Sequence, residues 1–200
     1  MIIGITGGVG CGKSTVLHIL KQEFHCYTIE ADKVGHLVMQ KGTEAYQQIV
    51  STFGNEILDT DLEIDRKRLA GIVFSDREKL KKLNQIVHPA VKSHIKNEIE
   101  QVTHSGNHSI IILEAALLIE EKYPEFCDEV WYIYADEQER IRRLKKSRGY
   151  TEEKIREIME NQLSEEEFLK NCDRKIDNSR DFEAACQQIK KLFERFTYGR

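Results

Sequence analysis

Eight residues near the start of the chain, Gly7-Gly8-Val9-Gly10-Cys11-Gly12-Lys13-Ser14, have the types and spacing of a loop that holds polyphosphate. Glycines let a backbone curl until successive N–H groups point inward, and a helix that follows adds the positive end of its dipole. Gly8, Gly10, Cys11 and Gly12 would form the cradle. Lys13 is placed to reach the β- and γ-phosphates of ATP, Ser14 to offer its hydroxyl to Mg²⁺, and Thr15 to touch the α-phosphate. The pattern also occurs by chance, so its setting carries the reading. Ile2, Ile3 and Ile5 form an apolar run before it, while Val16, Leu17, Leu20 and Phe24 recur at helical spacing after it. An ordinary turn needs neither Lys-Ser-Thr nor four glycines in six residues.

Other residues have chemistry to offer. Asp32 closes the segment Thr28-Ile29-Glu30-Ala31-Asp32. A carboxylate there could take the proton of an attacking hydroxyl while the loop and Mg²⁺ hold the γ-phosphoryl group. It suits an N-cap for a helix from Lys33 equally well. Arg140, Arg142, Arg143, Lys145, Lys146 and Arg148 place six cations in nine residues with no acid among them. In isolation such a run is a solvated helix face. Beside a phosphate loop it also fits a mobile basic helix that folds over ATP, with Gly149 and Thr151 as a hinge. Glu114, ending the apolar run Ile110 to Leu113, either holds a water on Mg²⁺ or caps a loop. His88, just before Pro89, is a lone histidine, a type more often structural than catalytic. Cys11 lies within the loop, where the N–H groups, the helix dipole and Lys13 all favour a thiolate. If exposed, it is expected to be the most readily alkylated of the five cysteines.

The elements that must position these groups follow from the apolar pattern. Beyond the first strand, strands are expected at Cys26 to Glu30, Ser109 to Glu114, Val130 to Tyr134 and Lys175 to Asp177, with helical segments between them. That alternation predicts an α/β fold whose parallel sheet carries helices on both faces and binds ligand at the carboxyl ends of its strands. The long stretch from Asp32 to about His108 is helical in character, with Val91, Ile95, Ile99 and Val102 on one stripe, and is expected to form a helical lobe. Pro89 should break or kink that pattern, separating a helix around Glu78 to Val87 from the next. Thr151, Ser164 with Glu167, and Asp181 look like helix starts. The last helix would bury Phe182, Ala185, Ile189, Leu192, Phe193 and Phe196.

Two hundred residues with 40% hydrophobic content suit one domain with a small inserted lobe and exclude a large motor. A net charge of −4 provides no general field for nucleic acid. No apolar run approaches a membrane span and no signal peptide is seen, so a cytoplasmic location is expected. The five cysteines are scattered, which fits reduced thiols better than disulfides or a zinc site.

In order along the chain, the segments resemble those of the dephospho-CoA kinase family. They are Ile5 to Thr15, Glu30-Ala31-Asp32, Phe53-Gly54-Asn55-Glu56-Ile57-Leu58, Ile64-Asp65-Arg66 with Val73-Phe74, Ile86-Val87-His88-Pro89, Leu117-Leu118-Ile119-Glu120 and Ile176-Asp177-Asn178. The resemblance implies a P-loop kinase-type sheet flanked by helices, with residues 1–200 as one domain, about 33–108 including a helical acceptor lobe and about 138–165 a helical lid. It implies transfer of the ATP γ-phosphoryl group to the 3′-hydroxyl of dephospho-CoA, giving CoA and ADP, the last step of coenzyme A synthesis. Mg²⁺ would assist, and no nucleic acid, membrane or obligate protein partner is implied. Asp32 matches the family's acidic residue at the acceptor hydroxyl, which favours its chemical reading over the cap. The run from Arg140 to Arg148 matches the lid, His88 and Pro89 match the acceptor side, and Asn178 lies in the segment that passes near adenine. The chain departs from the family in having Ala116 where proline is common, Ile119 for phenylalanine, and Asp59-Thr60-Asp61-Leu62 at an Asp-Gly turn. Ser147 displaces the arginine spacing, leaving open which of Arg140, Arg143 and Arg148 reaches phosphate. Rival readings are another small-molecule kinase on this fold, a phosphate-binding scaffold without turnover, and a GTP-dependent switch. For the last, Asp32-Lys33-Val34-Gly35 follows the loop too closely and no Asn-Lys-x-Asp motif occurs.

Overall fold

The isoleucine run at the start becomes strand β1 (Ile2–Thr6), buried from Ile3 onward because strands flank it on both sides. In this computed structural model, which describes residues 1–198, five strands lie in the order β2 (Tyr27–Glu30), β3 (Ile111–Glu114), β1, β4 (Glu129–Tyr134) and β5 (Arg174–Asp177). β1 pairs in parallel with β3 and β4, and β4 with β5; Ile5 lies opposite Glu114 on one side and Trp131 on the other. The strand limits expected from the sequence hold within two residues. A parallel sheet buried on both faces explains why these strands read as near-continuous apolar runs.

Two units make up the fold: Met1–Ile29 with the chain from Gly106 onward, and Glu30–Ser105. In the first, α1 (Lys13–Glu23) packs with α9 (Phe182–Tyr198). Between them and one face of β1 and β4 lies a core of Ile3, Ile5, Val16, Ile19, Leu20, Trp131, Ile133 and Ile189. Phe24 and Trp131 both pack on Phe193, with ring centroids 4.1 and 6.0 Å away. Strand alternation sends Tyr132 to the opposite face, where it stacks at 4.6 Å on Phe168 of α8 (Glu165–Asn171). Asp181 caps α9 through the N–H of Ala184. Phe182, expected on the buried stripe of that helix, is instead 47% exposed, and the stripe begins one turn later at Ala185. Between β4 and β5 run α6 (Glu137–Arg148), α7 (Glu152–Glu160) and α8, with Thr151 and Ser164 accepting from the backbone N–H groups of Lys154 and Glu167 as caps.

The second unit is helical: α2 (Ala31–Val38), α3 (Glu44–Phe53), α4 (Arg66–Val73) and α5 (Arg77–Ser105). α5 packs against α2, α3 and α4. Ile49, Phe53, Ile57, Leu69 and Val73 form its core together with Leu80, Leu83, Ile86 and Val87 of α5. Of the break or kink expected at Pro89, the break does not occur, since α5 is one helix of 29 residues with Pro89 inside it. Proline there removes one backbone hydrogen bond and crowds the preceding turn, at about 3 kcal/mol. On the carboxyl side alone, Val91, Ile95, Ile99 and Val102 are buried, each contributing roughly 1.5–3 kcal/mol. Burial on both sides of the proline therefore outweighs the local penalty.

Candidate active site

β1 delivers the chain to the carboxyl edge of the sheet between β3 and β4, where strand order reverses and ligands bind in open α/β sheets. The loop beyond Thr6 turns through Gly10 and Gly12 at φ +78° and +87°, in the left-handed region that a Cβ resists. No acidic residue occupies the first turn of α1, so the positive end of its dipole is left for an anion. The loop is held by its carbonyls. Arg140 Nε donates to Val9 O at 2.8 Å, Arg143 Nη1 to Cys11 O at 3.2 Å, and Asn178 Nδ2 to Cys11 O at 2.8 Å and Gly12 O at 3.4 Å. In a trans peptide the C=O and N–H point opposite ways. Tying back the carbonyls of Val9 and Cys11 therefore turns the N–H groups of Gly10 and Gly12 to the other side, and neither has a hydrogen-bond partner among the described residues. Lys13 Nζ folds over the loop to Gly7 O at 2.8 Å. The result is an anion nest with an ammonium group at its edge.

The other expected residues divide between the two units. Ser14 is exposed in the first turn of α1, and Thr15 is half-buried beside it. Glu114 ends β3 opposite Ile5 and is only 8% exposed. Its charge is felt at Cys11, which puts it on the loop's side of the sheet. A hydroxyl and one carboxylate fit Mg²⁺ bound chiefly by substrate phosphates and water, and no group of three or more His, Cys, Asp or Glu among the described residues forms a separate metal cage. Arg140 and Arg143 both touch the loop, whereas Arg148 is exposed at the end of α6 and lies over the Tyr150 ring at 5.9 Å. In the helical unit, Asp32 is not a cap: Glu30 is the N-cap residue of α2, and Asp32 sits in the first turn. Its carboxylate is exposed and makes no hydrogen bond or ion pair among the described residues. His88 and Pro89, on α5, line an open cavity of about 530 Å³ with Arg77, Leu80, Lys81 and Asn84.

Comparison with known proteins agrees with this geometry. The dephospho-CoA kinase (CoaE) family description matches residues 1–183. The chain belongs to the dephospho-CoA kinase family. The dephospho-CoA kinase of Aquifex aeolicus is 41% identical over 98% of this chain and 97% of its own, and that of Carboxydothermus hydrogenoformans 39% over 98% and 95%. The solved structure of dephospho-CoA kinase from Campylobacter jejuni superposes with a TM-score of 0.74 at 26% identity, covering 99% of this chain and 98% of that one. The chain is thus a P-loop kinase, a transferase of coenzyme A biosynthesis.

Several features of this dephospho-CoA kinase family member differ from expectation or went unseen in the sequence. Cys11 is 2% exposed and packs into the core beneath the loop. Burial pushes its thiol up, against the opposing pull of Lys13, a backbone hydrogen bond and Arg140. The expected reactive thiolate is therefore overturned: the side chain leaves the nest on its dry side. Asn178 is 3% exposed, and its amide is committed to the loop's carbonyls. Arg143 ties three parts together, since its Nη2 also donates to Asn178 O at 2.7 Å and its Nε to Glu139 Oε1 at 2.7 Å. Arg142 holds both oxygens of Glu139 at 2.7 Å. These bonds, led by that from Arg142, lower the Glu139 carboxyl to about 2. Gln162 was missed altogether, because a glutamine between two short helices carries no signal of its own; it accepts from Val9 N at 2.9 Å. Also unforeseen is a cavity of about 470 Å³ lined by Tyr132, Tyr134, Glu137, Arg140, Arg156 and Phe168.

Proposed function

We infer that this chain transfers the γ-phosphoryl group of ATP to the 3′-hydroxyl of the ribose of dephospho-CoA, giving CoA and ADP, in the cytoplasm. The observation that carries the reading is the phosphate nest, its carbonyls tied back by Arg140, Arg143 and Asn178, in a chain whose family match spans residues 1–183. Gly8, Gly10, Cys11, Gly12 and Thr15 act through the loop and first turn, whose N–H groups take the phosphates. Lys13 exchanges its bond to Gly7 O for the β- and γ-phosphates. Mg²⁺, when bound, neutralises charge on the phosphates; Ser14 would ligate it and Glu114 would hold one of its waters. Arg140 and Arg143 carry positive charge to the transferred group, and Arg148 has no such bond to the loop. The Glu30–Ser105 unit receives the acceptor, with His88 and Pro89 among its contacts, and the stretch at about 138–165 closes as a lid. Asp32, the unpartnered carboxylate of α2, accepts the proton of the hydroxyl as the new O–P bond forms. Asn178 keeps the loop in shape beneath the nucleotide.

The test is direct. Purified protein is mixed with MgATP and dephospho-CoA, and CoA is sought by its mass. Formation of CoA, with free adenosine or AMP accepted more slowly because they lack the remote binding energy of the pantetheine arm, supports the reading. A folded preparation that binds ATP and forms no CoA would sink it.

A further inference from the structure

The crest of the phosphate loop is fastened at one residue, Val9, in three ways. Its carbonyl accepts from Arg140 Nε at 2.8 Å, and its N–H donates to Gln162 Oε1 at 2.9 Å. Its side chain packs on the small core of Ile141, Leu144 and Ile155 shared by α6 and α7. Gln162 and Arg140 are themselves joined, since Arg140 Nη2 donates to the same Oε1 at 3.2 Å. Val9, Arg140 and Gln162 thus form a closed ring of three hydrogen bonds, with a single side-chain oxygen taking two of them. The guanidinium lies so flat against the loop that a Cβ on Gly8 would stand 2.5 Å from Nη2.

We propose that Gln162 is a positioning residue of the phosphoryl transfer: its side-chain oxygen sets the orientation of Arg140 and fixes the loop crest against it. The proposal rests on the reading of Arg140 as a phosphate-neutralising group. Gln162 is suited to the task because its own backbone is held at both ends of a short link. Its N–H donates to Met159 O at the end of α7, and two residues later Ser164 and Glu167 form the capping box that starts α8. A neutral amide is also the right acceptor. A carboxylate would hold the same two donors while cancelling the charge of the guanidinium and repelling polyphosphate from the nest. The amide fixes direction and leaves the full positive charge for the phosphate. Arg140 Nη1 makes no hydrogen bond among the described residues and remains available for that purpose.

The experiment is a double-mutant cycle on the intact enzyme with saturating dephospho-CoA, reading kcat, KM for ATP and melting temperature. Gln162→Leu keeps the bulk and removes the acceptor. It should lower kcat about tenfold to a hundredfold, the scale of a small misplacement of a reacting group, with KM for ATP and Tm little changed. In an Arg140→Ala background the same substitution should cost nothing further. Gln162→Asn, which draws the amide back by one methylene and has no reason to unfold, should reproduce the loss and stands in if the leucine variant is unstable. Arg140→Ala with wild-type kcat would overturn the arginine reading and this proposal with it. An impaired Arg140→Ala combined with wild-type kcat in the Gln162 variants, or with losses that simply add, would overturn the role of Gln162 alone.

Discussion

The sharpest contrasts lie between single residues of similar chemistry. Asp32 and Glu114 are both carboxylates placed by the end of a strand, yet one is exposed and unpartnered and the other is 8% exposed. An exposed carboxylate that neither caps a helix nor pairs with a cation has only a weak, solvent-screened interaction with the dipole of α2 to lose. Asp32→Asn should therefore lower the melting temperature only slightly while kcat falls by about 10²- to 10⁴-fold and the Kd for ATP stays the same. Near-normal turnover would leave Asp32 without a chemical role. Cys11 makes the opposite point, because its backbone serves the loop while its sulfur serves the core. With the thiol buried and its pKa raised, alkylation should follow unfolding, and MgATP should slow it only by stabilising the native state. Site-resolved mass spectrometry across a urea series reads this; labelling of Cys11 at native conditions as fast as a free thiol would show that the loop opens far more readily than its hydrogen bonds suggest.

At the scale of elements, α5 and α6 show how burial and charge override local rules. Proline in a helix interior is about 3 kcal/mol less favourable than alanine, and α5 carries Pro89 because the apolar residues on both sides of it are buried. Pro89→Ala should raise the unfolding free energy by about 1–3 kcal/mol, measured by urea denaturation, with KM for dephospho-CoA rising if the ring shapes the acceptor cavity. A destabilised variant would mean that the proline's shape is packed against more tightly than its cavity position suggests. The basic run of α6 divides by position on the helix. Arg140 and Arg143, half-buried, turn to the loop, whereas Lys146 and Arg148 are solvated. The solvated-face reading holds for Lys146 and Arg148, whereas Arg140 and Arg143 are tied to loop carbonyls. Arg148→Ala should leave kcat within about twofold of wild type, whereas Arg143→Ala should weaken ATP binding, because Cys11 O and Asn178 O lose a donor each.

Across the whole molecule, pH should act through carboxylates that hold structure in place. Glu139 is lowered to about 2, first by its hydrogen bond from Arg142. Asp65 is lowered by the N–H of Arg68 at the cap of α4, Glu152 by Lys145, and Glu167 by the N–H of Ser164 in the capping box. Each has a folded pKa below its unfolded value, so its contribution is complete above the ordinary carboxylate range, about 4. That contribution is lost as pH falls from there through the lowered values. Stability from urea midpoints should accordingly be flat down to about pH 5 and decline steeply below about pH 4. Declining stability between pH 8 and 6 instead would overturn the carboxylate assignment.

Short-range chemistry was legible in the sequence. Phosphate loops, strand runs and caps such as Thr151, Ser164 and Asp181 depend on residues within a few positions of one another, so spacing reveals them, and the ordered segments revealed the family. The interruption expected at Pro89, the thiolate expected at Cys11 and the exposed Phe182 were misjudged, because each turns on what lies across the fold. The hydrogen-bond partners of the loop are 131 residues away at Arg140, 153 at Gln162 and 167 at Asn178. Local preference is worth tenths of a kcal/mol per residue, whereas burying a side chain or leaving a carbonyl unpaired is worth one or more. The sequence by itself determined that a phosphate-binding loop would form and which kinase family it serves. Only the tertiary structure decided which cations, and which glutamine, hold that loop open to its ligand.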